Sequence, residues 1–253
     1  MKKGIYLTLF IFCLISCTLI CRALTNQSAS FNTEQMTSLK RDLEQVKQIC
    51  PSMCSLIPEI LLEEAKRDPY LFYIVDKKNS LPADYMPTDL LGEGKAKVRQ
   101  ETLDAFEKMA QAAKKEGINL WILSGFRSFQ RQKEIYNRSL ASKGPEHTDK
   151  FVARPGQSQH QLGTAVDINS VENSFVNTKE YAWLKENAGT FGFSLSFPEG
   201  QQEKTGYAFE PWHYRYITPL GTTLQKMYFY DSQVDFLDTI NACLKENCYN
   251  SSI

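Results

Sequence analysis

The chain has 253 residues, 42% of them hydrophobic and 23% charged, a balance that excludes a disordered or fibrous protein and leaves ample chain for a folded core. Its 29 basic and 29 acidic residues cancel, so no net field argues for nucleic acid as a partner.

The chain opens with Lys2 and Lys3 ahead of an apolar run over 5–20, the charged and hydrophobic parts of a secretory leader. That run is shorter than the roughly 20 residues a membrane helix needs. Residues 22–32 are small and polar and read as a tether. Over 33–49, Met36, Leu39, Leu43 and Val46 recur at three- and four-residue steps and predict an amphipathic helix. Two prolines make 80–91 extended and irregular. A helix is predicted over 95–116, with Leu103, Phe106, Ala110 and Ala113 on its apolar face and Gly117 as its stop. "INLWILSG" then reads as a buried strand ending at Gly125, and a helix capped by Ser128 follows. Residues 143–161 read as turn-rich loop, with His147 solvated there. "TAVDI" reads as a short strand and "KEYAWLKENA", from 179, as a short helix. "YAFEPWHYRYI", 207–217, alternates like a strand interrupted by Pro211, and a final helix covers 219–246. Helices mixed with short strands, without a βαβ rhythm, predict an α+β fold.

Seven cysteines bear on the compartment. The stretch "LISC" resembles a bacterial lipoprotein cleavage box, with Cys17 as the lipidated residue. Cleavage after Ala23 and an uncleaved anchor are the alternatives. Each version puts the folded part outside the cytoplasm, in periplasm or on the cell surface, with the membrane touched only through the leader or a lipid. Cys50 and Cys54 form one close pair and Cys243 and Cys248 another; four thiols allow three pairings, and a four-cysteine zinc site is the competing use. An oxidising compartment favours disulfides.

No serine is followed three residues later by lysine, and neither a G-x-S-x-G elbow nor an H-E-x-x-H helix is present, so the common serine hydrolase and thermolysin-like sites lose their support. Two other clusters carry chemistry. The first is S-x-H-x-x-G-x-A-x-D, from Ser158 to Asp167; the second is E-P-W-H, from Glu210 to His213. Ala165 and Asp167 share a strand face, and alanine leaves room beside the carboxylate. Gly163 permits a tight turn that folds His160 back over that face. With His213 arriving from another strand, two histidines and one carboxylate form the usual ligand set of a catalytic zinc site with one open position. On an ideal strand Glu210 would point away from His213. Pro211 marks an irregularity that turns Glu210 toward the metal's water, as a general base.

These motifs resemble those of the VanY-type D-alanyl-D-alanine carboxypeptidases, zinc peptidases of bacterial cell-wall peptides. "SGFRSFQRQ" at 124–132 and "RPGQSQHQLGTAVDI" match further blocks of that family in order, and the likeness runs from about residue 81 to 217. The resemblance implies a hedgehog/DD-peptidase-like fold, a small antiparallel sheet flanked by helices, to which the helices read above at the two ends of the chain are additions. It implies one Zn2+ held by His160, Asp167 and His213, Glu210 as base, and Arg127 against the substrate carboxylate or developing oxyanion. Ser158 and Gln132 would hold the terminal D-alanine, and Trp212 would line the pocket. Phe126 stands where many relatives have tyrosine, which removes a hydroxyl beside Arg127. The expected organisation is a leader (1–23), a tether and N-terminal helical region (24–79), the peptidase domain (80–218) and a C-terminal helix (219–253), acting as a monomer on peptidoglycan stem peptides. An L,D-carboxypeptidase or endopeptidase on the same substrates, and a non-catalytic wall-binding lipoprotein, are the competing readings.

Overall fold

The computed structural model describes residue 54 and residues 57–250, with side chains through 245. The leader, the tether, the helix expected over 33–49, Cys17, Cys50 and the side chain of Cys248 lie outside the described residues. The described residues from Ile60 onward form one compact unit. In chain order the elements are α1 (Glu59–Arg67), β1 (Leu90–Leu91), β2 (Val98–Arg99), α2 (Gln100–Lys115), β3 (Ile122–Ser124) and α3 (Phe129–Phe151). After these come β4 (Ala165–Ile168), α4 (Lys179–Asn187), β5 (Phe193–Leu195), α5 (Gln202–Thr205), β6 (His213–Tyr216), α6 (Pro219–Tyr228) and α7 (Gln233–Asn250).

β1 and β2 form a two-stranded ribbon, and the other four strands form a sheet in the order β3-β4-β6-β5, antiparallel throughout. This is the expected α+β arrangement of a small antiparallel sheet with helices around it. "AVDI" and "HYRY" are its two central strands, buried at every position. On β5 and β6, Phe193 packs against Tyr216 with ring centroids 5.6 Å apart, and Phe106 of α2 meets Phe193 edge-on at 6.2 Å.

Several elements differ from the sequence expectation. The helix expected from residue 95 starts at Gln100, because the preceding backbone is used elsewhere: the carbonyls of Lys95 and Lys97 accept from the N–H groups of Gly125 and Phe126. Its buried face is Thr102, Phe106, Met109 and Ala113, rotated slightly from the one expected, and it stops at Gly117 with φ of 74°. The strand expected to be buried, β3, is an edge strand among the described residues, with Leu123 38% exposed and Trp121, just before it, 51% exposed. The stretch over 143–151 is helical and not loop. Gly144 breaks α3 with φ of 79°, and Pro145 restarts it, since proline suits the first position of a helix; His147 lies on that second segment, its ring 4.6 Å from Phe151. The single helix expected over 219–246 is two, split where Tyr230 and Asp231 take positive φ and the Gln225 side chain donates to the Asp231 carbonyl at 2.7 Å.

Arg215 of β6 is fully buried, and its Nη2 donates to the carbonyls of Leu71 and Tyr73, both at 2.9 Å. That clamp fastens the stretch after α1 to the sheet. Ala165 stands directly opposite Arg215 in the ladder, so the small side chain expected to leave room at a site leaves it beside this guanidinium. Cys54 and Cys243 are each disulfide-bonded, as an oxidising compartment favours, and a disulfide sulfur is not a thiolate ligand. Among the described residues no helix is long and apolar enough to cross a membrane.

Candidate metal centre

Strand register assembles the site. Asp167 on β4 stands opposite His213 on β6 and opposite Ser124 on β3. Directly opposed residues of antiparallel strands share a face with their Cβ atoms about 5 Å apart, so three polar side chains converge without any long-range adjustment. A register shift between Ile122 and Ser124 bulges β3 there, and bulges re-aim side chains at sheet edges.

His160 is delivered by the 3-10 turn Gln159–Leu162, all four of whose residues are buried. Gly163 ends it in the left-handed region (φ 74°, ψ 5°), and a Cβ there would meet the Arg99 side chain at 2.9 Å. The His160 carbonyl accepts from the N–H groups of Gly163 and Arg127, both at 3.1 Å, which locks the turn to the chain just after β3. Glu210 reaches the same place by a turn: the His213 N–H donates to the Glu210 carbonyl at 3.2 Å. Pro211 takes the position of that turn for which its fixed φ is suited. The irregularity expected at Pro211 is therefore a turn, and β6 begins only at His213.

Nε2 of His160 lies 3.3 Å from Asp167 Oδ2, and Nδ1 of His213 lies 3.2 Å from Asp167 Oδ1. One ligand atom from each of the three residues falls within 4.8 Å of the others, and all three residues are buried. The outer nitrogens are occupied. His160 Nδ1 is 2.7 Å from the Gly125 carbonyl, which can only accept, so that nitrogen carries the proton. His213 Nε2 is 3.3 Å from Gln159 Oε1. The inner nitrogens thus present lone pairs to Asp167. Despite the short separation, Asp167 Oδ1 is buried and accepts no hydrogen bond. Lone pairs facing one another with no proton between them are costly unless a cation sits among them. Two imidazoles and a carboxylate suit zinc. The residues present fit that ion.

Electrostatics sharpen the arrangement. Burial alone would raise the Asp167 carboxyl; only positive charge at the two imidazoles holds it well below the usual carboxylate range, the same demand for a cation that the facing lone pairs make. Burial pushes Glu210 up to about 7, with Asp167 adding to the rise and His213 and Arg127 opposing it. Two acids on one face are therefore driven in opposite directions, a common mark of divided roles. Glu210 Oε2 lies 3.6 Å from His213 Nδ1. Burial lowers the Arg127 guanidinium against the pull of Asp167, whose Oδ2 is 3.8 Å from Nη2.

The other expected residues fall at differing distances from this centre. Gln132 is buried against Arg127: its Oε1 accepts from Nη1 at 2.9 Å, and its Nε2 donates to the Ala153 carbonyl at 2.6 Å. Ser158 is buried two residues before His160, and its hydroxyl does not cap the turn. Trp212 contributes its carbonyl to Ile168 N at 3.0 Å, and its indole is half-buried. Sequence reasoning missed Ser124, whose Oγ accepts from Arg127 Nη2 at 3.2 Å, and Phe197, whose ring centroid is 4.9 Å from that of His213. It also missed Gln159, although its place next to His160 in the motif was a usable signal. Elsewhere a cleft of about 370 Å³ is lined by Lys77, Asp149, Arg154 and Tyr207. There Lys77 Nζ donates to the Asp149 backbone carbonyl at 2.7 Å and Arg154 pairs with the Asp149 carboxylate at 2.9 Å.

Gly125 is where the site tolerates least. A Cβ there would lie 2.2 Å from the Lys97 carbonyl oxygen and 2.7 Å from the Val98 side chain. Gly125→Ala is expected to cost about 1–3 kcal/mol in urea unfolding, the usual penalty of overpacking. It should also weaken metal retention, because the carbonyl holding His160 moves with it.

A family model described as VanY, D-alanyl-D-alanine carboxypeptidase, matches residues 95–219. The chain is 36% identical over 172 residues to YodJ of Bacillus subtilis, covering 62% of this chain and 63% of that protein. It thus spans less than two thirds of the length of that curated relative. Among solved structures, the LdcB LD-carboxypeptidase superposes with a TM-score of 0.63 at 30% identity, covering 68% of this chain and 88% of that one. A mutant of the vancomycin-resistance D,D-pentapeptidase VanY in complex with Zn(II) superposes with a TM-score of 0.58 at 31% identity, covering 66% and 99%.

Proposed function

The chain belongs to the VanY family of D-alanyl-D-alanine carboxypeptidases, and we propose that it is a zinc-dependent carboxypeptidase removing the terminal D-alanine from peptidoglycan stem peptides. The observation that carries this reading is the convergence of His160, Asp167 and His213 with the half-buried Glu210 at their side. One zinc ion bound there would supply Lewis acidity, which acidifies a coordinated water and polarises a carbonyl.

The residues divide the remaining work. Glu210, with its pKa near neutrality through burial, takes the proton of the attacking water at Oε2 and returns it to the departing amine of D-alanine. Arg127 is held from behind by Gln132 and Ser124 and keeps further N–H donors for a carboxylate or developing oxyanion. A wall-binding module would have no use for a glutamate set beside the ligand group. We place the protein outside the cytoplasm, acting as a monomer attached through its leader or a lipid at Cys17. The disulfide-bonded Cys54 and Cys243 support that compartment.

The likeness to LdcB favours a second reading on the same site, cleavage of the terminal D-alanine from a stem already shortened to a tetrapeptide. Incubating the full-length protein with stem peptides ending in one or in two D-alanines, and weighing the products, separates the two. Trimming of the pentapeptide alone supports the first reading, and trimming of the tetrapeptide supports the second. Zinc retention without release of D-alanine from either peptide would overturn both.

A further inference from the structure

Behind His213 lies a buried polar chain that the family-matched segment does not complete. His213 Nε2 meets Gln159 Oε1 at 3.3 Å, and the Ser196 hydroxyl donates to that same oxygen at 2.7 Å. Gln159 Nε2 donates to Gln233 Oε1 at 3.2 Å. Gln233 Nε2 in turn lies 3.0 Å from Ser194 Oγ, 3.2 Å from Ser196 Oγ and 3.4 Å from the Ser194 carbonyl. Gln159, Ser194, Ser196 and Gln233 are all less than a tenth exposed. Gln233 is the first residue of α7, 14 residues past the end of the family match at 219. Its helix start is pinned in place: the Ser232 hydroxyl accepts from Asp235 N at 3.3 Å and from Lys204 Nζ at 3.2 Å.

The polarity of this chain is forced from its far end. A carbonyl accepts and never donates, so the Ser194 oxygen requires the amide nitrogen of Gln233 on its side. Gln233 Oε1 must then face Gln159, which turns Gln159 Oε1 toward His213. An amide oxygen can only accept, so the proton of His213 is held on Nε2, and Nδ1 is left free toward Asp167. Ligating histidines depend on such outer bonds to fix tautomer and ring orientation.

The geometry assigns to Gln233 the role of positioning residue for the metal ligand His213, acting through Gln159, so that the C-terminal helix is part of the metal centre. This rests on the metal reading above. The test is zinc affinity of the full-length protein by chelator competition, together with the absorption spectrum of its cobalt-substituted form. Gln233→Met keeps the side-chain length and removes both ends of the relay. It is expected to weaken zinc binding about 10–100-fold, the usual effect of losing an outer-shell partner, and to shift the cobalt spectrum. Because the effect passes through Gln159, the double variant Gln159→Leu/Gln233→Met should bind zinc no more weakly than Gln159→Leu alone.

Unchanged affinity and spectrum in Gln233→Met, or additive losses in the double variant, would overturn the assignment. If Gln233→Met does not fold, Ser196→Ala removes the hydroxyl shared by both glutamines and should still weaken zinc several-fold; unchanged affinity there overturns the assignment equally. A wild-type protein that holds no zinc would instead overturn the metal reading itself, and this assignment with it.

Discussion

Glu210→Gln is expected to keep its zinc and lose release of D-alanine by about 10²–10⁴-fold in kcat/KM, the range for removing a general base or acid. The substitution preserves shape and the turn through Pro211, because the His213 N–H bonds the backbone carbonyl of residue 210 and not its side chain. What disappears is a basic oxygen. Burial has lifted that carboxyl to about 7, where it can both accept and return a proton near neutral pH, and an amide does neither. The ligand set is untouched, so metal content by atomic absorption should match the wild type. Full turnover with full zinc would show that some other group moves the proton. Loss of zinc together with turnover would make Glu210 a ligand in place of a base.

Asp167→Asn should separate stability from function in the opposite way. In the wild-type protein two imidazole lone pairs and a buried carboxylate oxygen without a hydrogen bond face one another. Without metal that gathering is a cost, offset in part by Arg127 at 3.8 Å. Zinc at about 1,000 times its dissociation constant would stabilise the fold by roughly 4 kcal/mol, which for a chain of this size raises the melting temperature by on the order of 8–16 °C. Asparagine is neutral and a poor ligand, so the variant should show little or no zinc-dependent rise and no D-alanine release. Its metal-free melting temperature should stay within a few degrees of the wild type, since the amide can donate to a neighbour that the carboxylate could only repel. A variant that still gains the full thermal shift from zinc would remove Asp167 from the ligand set.

Most of the inner site is legible because its chemistry is written in short motifs. Ser158 to Asp167 contains the turn, the glycine that closes it and the strand that follows, so the approach of His160 to Asp167 is a local matter. Glu210 and His213 are likewise joined by one turn, and a proline between them signals that the strand has not yet begun. The outer supports are not legible, because they are made by residues with no distinctive chemistry of their own. Gln159, Ser196 and Gln233 are common polar residues, and only burial turns them into a relay. Gln132 reads as a substrate contact in sequence, and the fold presses it against Arg127.

The same division holds for the fold. Periodicity and turn chemistry carry the α+β class, the helix that stops at Gly117 and the strands "TAVDI" and "HYRY", since each depends on neighbours within a few residues. Positions that depend on distant partners do not announce themselves. The helix expected from 95 gives up its first turn because Lys95 and Lys97 bond the chain at Gly125 and Phe126, and "INLWILSG" becomes an exposed edge because no strand among the described residues pairs with its outer side. By itself the sequence picked out His160, Asp167, Glu210 and His213 as the candidate group, through side-chain types at short spacing. The tertiary structure alone decided what holds them: strand register set Asp167 against His213, and burial made every unpaired polar atom around them consequential.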